Sequence, residues 1–140
     1  QGTYYAYCHA WKRDENGKKV FGAWSNIYKF EVTATTPSTP KITSVKAKGN
    51  TVTVTYTASK NATGYDVVLG NSVKSVNGEK RPVDYGTLVK KNIKGNVVTA
   101  TFKNVPAGKY YAGVHSFNRT SENGSKVFSK WSNSKAVTVK

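Results

Sequence analysis

Acidic residues are scarce in this chain: 7 Asp and Glu stand against 22 Lys and Arg in 140 residues, a formal net charge of +15. Cysteine is represented by Cys8 alone, and methionine is absent. One cysteine cannot build a disulfide framework or a cysteine-rich zinc site within the chain. No apolar run approaches the roughly 18 residues that a membrane helix needs, so the chain is expected to be soluble with no membrane span. Without Met, and with Gln1 opening onto patterned sequence rather than a charged-then-apolar signal, the sequence is expected to be an internal or processed piece of a longer protein. The few carboxylates, Asp14, Glu15, Glu31, Asp66, Glu79, Asp84 and Glu122, lie mostly at turns or alone, with no pair spaced for acid–base work. A glycine-rich phosphate loop and a Gly-x-Ser-x-Gly elbow are also missing. These absences point away from an enzyme.

The excess of positive charge predicts attraction to polyanions: anionic glycans, wall polymers, acidic lipid surfaces or nucleic acid. Nucleic acid is supported by charge alone and ranks last. The lysines are scattered, with no run of five or six, and the alternative is that they keep an exposed β surface soluble and its edges unpaired.

An internal repeat organises the chain. Gly2 to Thr33 reappears as Gly108 to Lys140, displaced by 106 positions at first and by 107 after one extra residue near Thr120. Gly2-Thr3-Tyr4-Tyr5-Ala6 answers to Gly108-Lys109-Tyr110-Tyr111-Ala112, His9 to His115, Lys19-Val20-Phe21 to Lys126-Val127-Phe128, and Trp24-Ser25-Asn26 to Trp131-Ser132-Asn133; 16 of 32 aligned positions are identical. A repeat unit of about 106 residues is a whole domain, so the chain is expected to hold the closing two strands of one copy (residues 1–33), a linker (34–39) and one complete copy (40–140). The Thr/Pro stretch Thr33 to Pro40 cannot join a ladder and should be extended and stiff.

Inside the complete copy the apolar period is two. Val52, Val54 and Tyr56 alternate with threonines, and Tyr65, Val67 and Leu69, then Val98, Ala100 and Phe102, then Tyr110, Ala112 and Val114 behave alike. Thr87 to Lys90 and Ala136 to Val139 are further strand candidates. Gly49-Asn50, Lys94-Gly95-Asn96, Ala107-Gly108 and the Asn-Gly pairs at 77–78 and 123–124 offer positive φ for turns. No stretch looks helical. About seven short strands in some 100 residues read as an all-β, immunoglobulin-like antiparallel β-sandwich preceded by a hairpin.

These residues resemble the fibronectin type III family. Pro40, Ile42 and Val45 have the spacing that opens such modules, and Thr51 to Tyr56 follows, with Tyr56 where the family usually has Trp. Gly64-Tyr65-Asp66-Val67 resembles the third strand, and Phe102, Val105, Gly108 and Tyr110 resemble the stretch ending in the tyrosine corner, whose hydroxyl would return to backbone near Val105. Gly-x-Tyr-Tyr and Trp-Ser-Asn resemble the tandem copies of secreted and surface proteins of Gram-positive bacteria. The resemblance implies a secreted or cell-surface spacer and binding platform with neighbouring repeats of the same chain as partners; it is specific for fold and weak for function.

Residues 2–33 alone would make a marginal hairpin with Tyr4, Ala6, Cys8 and Ala10 on its apolar face. The missing strands either precede it in the native protein or come from another chain pairing with its edge. Cys8 and His9 point to opposite faces of a strand and cannot act together. Cys8 replaces Val114 and is expected to be a small buried hydrophobe, and His9 and His115 lack partners for a metal site, so no metal or cofactor is expected. With those four residues facing in, Tyr5, Tyr7, His9 and Trp11 face out as a stripe of rings, and the second copy has Tyr111, Gly113, His115 and Phe117. Such rings can stack on sugars while lysines hold an anionic group; the alternative is cross-strand packing with Trp24 or Trp131 and lysine stems over the rings. The replacement of Tyr7 by Gly113 argues that the copies differ. The long segment Gly70 to Gly86, with Lys80 and Arg81, is a second binding candidate or an extra hairpin, the latter favoured. The sequons at Asn61 and Asn118 are assigned nothing.

The expectation is thus a non-catalytic spacer and adhesion or binding module contacting a polyanionic or glycan polymer of cell envelope or host surface. Alternatives are an accessory module of an extracellular glycan- or wall-degrading enzyme, and a structural subunit assembling by strand complementation through residues 2–33.

Overall fold

A computed structural model describes residues 2–140, and every regular element in them is a β-strand paired antiparallel. No helix is long and apolar enough to cross a membrane. Residues 2–32 form a long ribbon. Strand β1 (Gly2–Ala6) pairs with β4 (Tyr28–Val32), and β2 (His9–Arg13) pairs with β3 (Lys19–Trp24). The turn between β2 and β3 is held by Asp14, whose Oδ1 accepts the Asn16 and Lys18 N–H groups at 3.0 and 2.9 Å.

The later residues build two facing sheets. The first has β5 (Ile42–Lys48), β6 (Thr51–Tyr56) and β11 (Thr99–Phe102), in the order β11-β6-β5. The second has β10 (Val89–Lys94), β7 (Gly64–Gly70) and β12 (Gly108–Asn118), with β13 (Val127–Phe128) and β14 (Lys135–Val139) along the far edge of β12. This is an immunoglobulin-like β-sandwich. Its interior follows the period-two pattern: Ile42, Val52, Val54, Tyr56, Ala100 and Phe102 of one sheet meet Tyr65, Val67, Leu69, Tyr110, Ala112, Val114 and Val139 of the other. Each large aliphatic side chain so buried contributes about 1.5–3 kcal/mol. Tyr56 fits this interior by donating its hydroxyl to the Val97 carbonyl at 3.2 Å; burial, and after it the neighbouring Tyr65, raise its pKa. Tyr110 donates to the Pro106 carbonyl at 3.1 Å, one residue beyond Val105.

The segment after β7 is a hairpin, β8 (Ser72–Val76) and β9 (Glu79–Val83). Its two-residue loop, Asn77-Gly78, takes φ of 52° and 79°, as a turn matched to strand twist requires. The positive φ expected at Gly95-Asn96 and Asn123-Gly124 is not adopted there. At Gly95 the need is space: a Cβ would lie 2.6 Å from the Ala62 carbonyl oxygen.

The Thr/Pro stretch has no ladder and is more than a spacer, because it is docked. Pro37 and Pro40 are buried, the Ser38 N–H donates to the Lys60 carbonyl at 3.0 Å, and the Ser38 carbonyl accepts the Ser116 hydroxyl at 2.8 Å. Asn118 Nδ2 donates to the Thr35 carbonyl at 2.9 Å.

Candidate functional site

The two matching segments of the chain line two outer faces, and the structure treats them oppositely. Between β13 and β14 the edge strand leaves the ladder, and two serines fill in for it. Ser129 Oγ accepts the Ser116 N–H and Ser132 Oγ accepts the Val114 N–H, both at 3.1 Å. In this irregular stretch Trp131 turns onto the sheet and stacks on His115 with centroids 4.0 Å apart, while Phe128 also stacks on His115 at 4.4 Å.

His115 is thereby held beside Asp66, a carboxylate buried in this face. Asp66 is 6% exposed. Lys126 Nζ donates to both its oxygens at 3.0 Å, and Oδ1 also accepts the Asn92 N–H at 2.8 Å. His115 Nε2 lies 3.8 Å from Oδ2. Burial lowers the His115 pKa to about 4, against a raising effect of Asp66, with Lys126 and Arg81 lowering it further. The imidazole is therefore neutral at pH 7, and its contact with Asp66 is dipolar; Lys126 supplies the countercharge.

The hairpin β8–β9 lies over the same face. A Cβ on Gly113 would come 2.6 Å from Pro82 Cδ, and Arg81 stands 5.8 Å from the Trp131 ring centre. Phe117 is buried, packed against Gly64 under Lys126, whose Nζ is 3.9 Å from the ring centre. His115 and Phe117 are thus on the outer side of the sheet, as the alternation predicts, but beneath covering groups, so neither offers a ring face to solvent. Tyr111 is half-buried with Lys109 Nζ 5.6 Å from its ring centre, and Lys80 is exposed on β9.

On the β2–β3 ribbon the corresponding rings around a half-buried His9 are open. His9 stacks on Trp24 at 3.7 Å and on Phe21 at 4.6 Å, and Tyr7 meets Trp24 edge-on at 4.8 Å. Trp11, opposite Phe21 in register, carries Lys19 at 4.2 Å and Arg13 at 5.7 Å from its ring centre. Tyr7, Trp11, Phe21 and Trp24 are 57, 49, 53 and 58% exposed, and Tyr7, Trp24, Ser25 and Ile27 line a shallow groove of about 410 Å³. Tyr5 is exposed opposite Lys29 on β4. The structure thus joins Tyr7 and His9 in one ring cluster with Phe21 and Trp24, which come from the returning strand, and sets Trp11 opposite Phe21 at its end. Alternation within one strand could not reveal Phe21; the hairpin register could have.

Cys8 is exposed, which corrects the expectation of a small buried hydrophobe. The face it shares with Tyr4, Ala6 and Ala10 has no opposing sheet among the described residues, whereas its counterpart Val114 is fully buried within the sandwich core. Among the described residues no group of three or more His, Cys, Asp or Glu is placed to hold a metal ion.

No family model and no curated protein matches this chain. A solved structure named FN3tt mut aligns with 71% of this chain and 92% of its own, at 15% sequence identity and a TM-score of 0.33. That likeness is distant, and the sandwich assignment stands on the strand pairing itself.

Proposed function

We propose that this chain is a non-catalytic, fibronectin-like module of a secreted or cell-surface protein, acting as a spacer and as a binding platform for a glycan or anionic polymer of cell envelope or host surface. One observation carries the binding part: the exposed Tyr7, Phe21 and Trp24 rings cluster around a half-buried His9, with exposed Trp11 beside Phe21 in register carrying Lys19 and Arg13, while the matching face of the sandwich is roofed. Flat, clustered rings suit the apolar faces of sugars, and the two cations suit carboxylate or phosphate substituents on them. The docked Thr/Pro segment supports the spacer part, since it fixes the chain from Thr35 to Ser38 onto the sandwich.

The test is retention of the full chain on purified cell envelope and on neutral and anionic glycans at about 0.05 M and about 0.5 M salt, where screening lengths differ roughly threefold. Retention at high salt that falls at least about tenfold in Trp11→Ala and Trp24→Ala, a loss of about 1.4 kcal/mol, supports ring stacking. Retention at low salt alone reduces the face to diffuse attraction, and none at all leaves a spacer.

A further inference from the structure

The two matching segments share geometry as well as sequence. Ser25 donates its N–H to the Cys8 carbonyl at 2.7 Å and accepts the Cys8 N–H on Oγ at 3.0 Å; Ser132 does the same with Val114 at 2.8 and 3.1 Å. The His9 and His115 ring stacks correspond, and Gly2 and Gly108 share a φ of 154°. In the second segment, however, three of the shared side chains hold residues that lie earlier in the chain. Lys126 and His115 sit on Asp66 of β7. Asn133 accepts the Ile42 N–H of β5 at 2.9 Å and donates to its carbonyl at 3.4 Å. Their counterparts Lys19, His9 and Asn26 stand on a ribbon whose inner face is open, with Tyr4 48% and Phe30 41% exposed, where Tyr110 is 6% exposed.

We infer that the β1–β4 ribbon is the closing half of a further sandwich and docks a segment of the same polypeptide equivalent to residues 38–106: a strand beside β1 and β2 that sets a carboxylate opposite His9 and Lys19, and an opening strand whose backbone Asn26 grips. The complete sandwich shows what covers this face and with what chemistry. Two details define the occupant further. In the complete sandwich the covering strands β5 to β7 precede β12 in the same polypeptide, and a repeat with the same side chains at the same spacing carries that order over to the ribbon. Tyr7 stands where Gly113 lies under Pro82, so the connection following the incoming strand is a tight turn, with no hairpin laid over the rings. This inference does not rest on polymer binding: the docked strand takes up Lys19 and leaves Arg13 and the Tyr7 and Trp24 rings open to a polymer.

The experiment extends the full chain at its N-terminus with residues 38–106 of its own sequence, with Asn-Gly in place of residues 71–86. Val68 pairs with Val89, so Gly70 and Thr87 would flank that two-residue turn in register. Cys8, the sole cysteine, is the reporter. Its reaction with a thiol reagent is expected to slow at least about 100-fold on extension, as for a group that reacts only when its surroundings open. Asp66→Ala, made in the added copy, should restore at least about tenfold of that rate. Should alanine unfold the added copy outright, Asp66→Asn there keeps the shape, and a partial return of reactivity is expected. Cys8 reacting as fast after extension, or protection indifferent to the carboxylate, overturns the proposal. Sedimentation of the unextended chain is expected to show a monomer with reactive Cys8; a dimer with Cys8 protected would assign the face to a second copy and overturn docking in cis.

Discussion

Lys126 donates to both carboxylate oxygens of Asp66 at 3.0 Å from 60 residues away, and this pair ties the loop before β13 to the central strand β7. The amine reaches its partner across the Phe117 ring, 3.9 Å from the ring centre, so the pair is shielded from water on that side. Removing one member leaves the other charge poorly solvated. Asp66→Ala is expected to cost about 3 kcal/mol by denaturant unfolding, with Lys126→Met costing less because Asp66 keeps the Asn92 N–H.

Stability should also depend on His115. Its pKa is about 4 in the folded chain against 6.5 ordinarily. Between those values the unfolded chain holds a proton on this imidazole that the folded chain does not. The contribution is fully present above pH 6.5 and is lost as pH falls towards about 4, amounting to at most about 3 kcal/mol. The difference between the stability curves of the parent and His115→Gln, measured from about pH 7.5 to about pH 4, is expected to follow that slope; parallel curves would exclude it.

The hairpin β8–β9 can lie flat because Gly113 has no side chain. In Gly113→Ala the new methyl would meet Pro82, at 2.6 Å from Cδ and 2.7 Å from Cγ, and Trp131 at 3.3 Å. A loss of about 1–3 kcal/mol is expected. Gly113→Tyr, which copies Tyr7, should displace the hairpin and raise amide hydrogen exchange across Ser72–Val76 and Glu79–Val83, while the β6 and β11 amides keep their protection.

Cys8 and Val114 occupy one position of the repeat in two environments. Cys8 should react with a thiol reagent at the rate of a free cysteine. A Val114→Cys thiol in a Cys8→Ser background should react only when the sandwich opens, at least about a thousandfold more slowly. A Cys8 thiol that reacted as slowly would show that the ribbon face is covered.

Sequence alone determined what depends on neighbours along the chain. Threonines alternating with Val52, Val54 and Tyr56 mark a strand with one wet face, and Asn77-Gly78 marks a tight hairpin, because side-chain alternation and backbone φ are local properties. The shared side of the rings Tyr7, His9 and Trp11 was legible for the same reason, the internal repeat from direct self-similarity, and the return of the Tyr110 hydroxyl to nearby backbone only through the resemblance to fibronectin type III modules. Tertiary structure decided which of two equivalent faces is open. Asp66 meets Lys126, and Pro82 lies over Gly113, through contacts between segments far apart in sequence, and no period or spacing encodes them. Exposure follows from the same long-range packing: Cys8 and Val114 share a place in the repeat, yet only Val114 has a second sheet across from it, since burial belongs to the opposing surface and not to the residue.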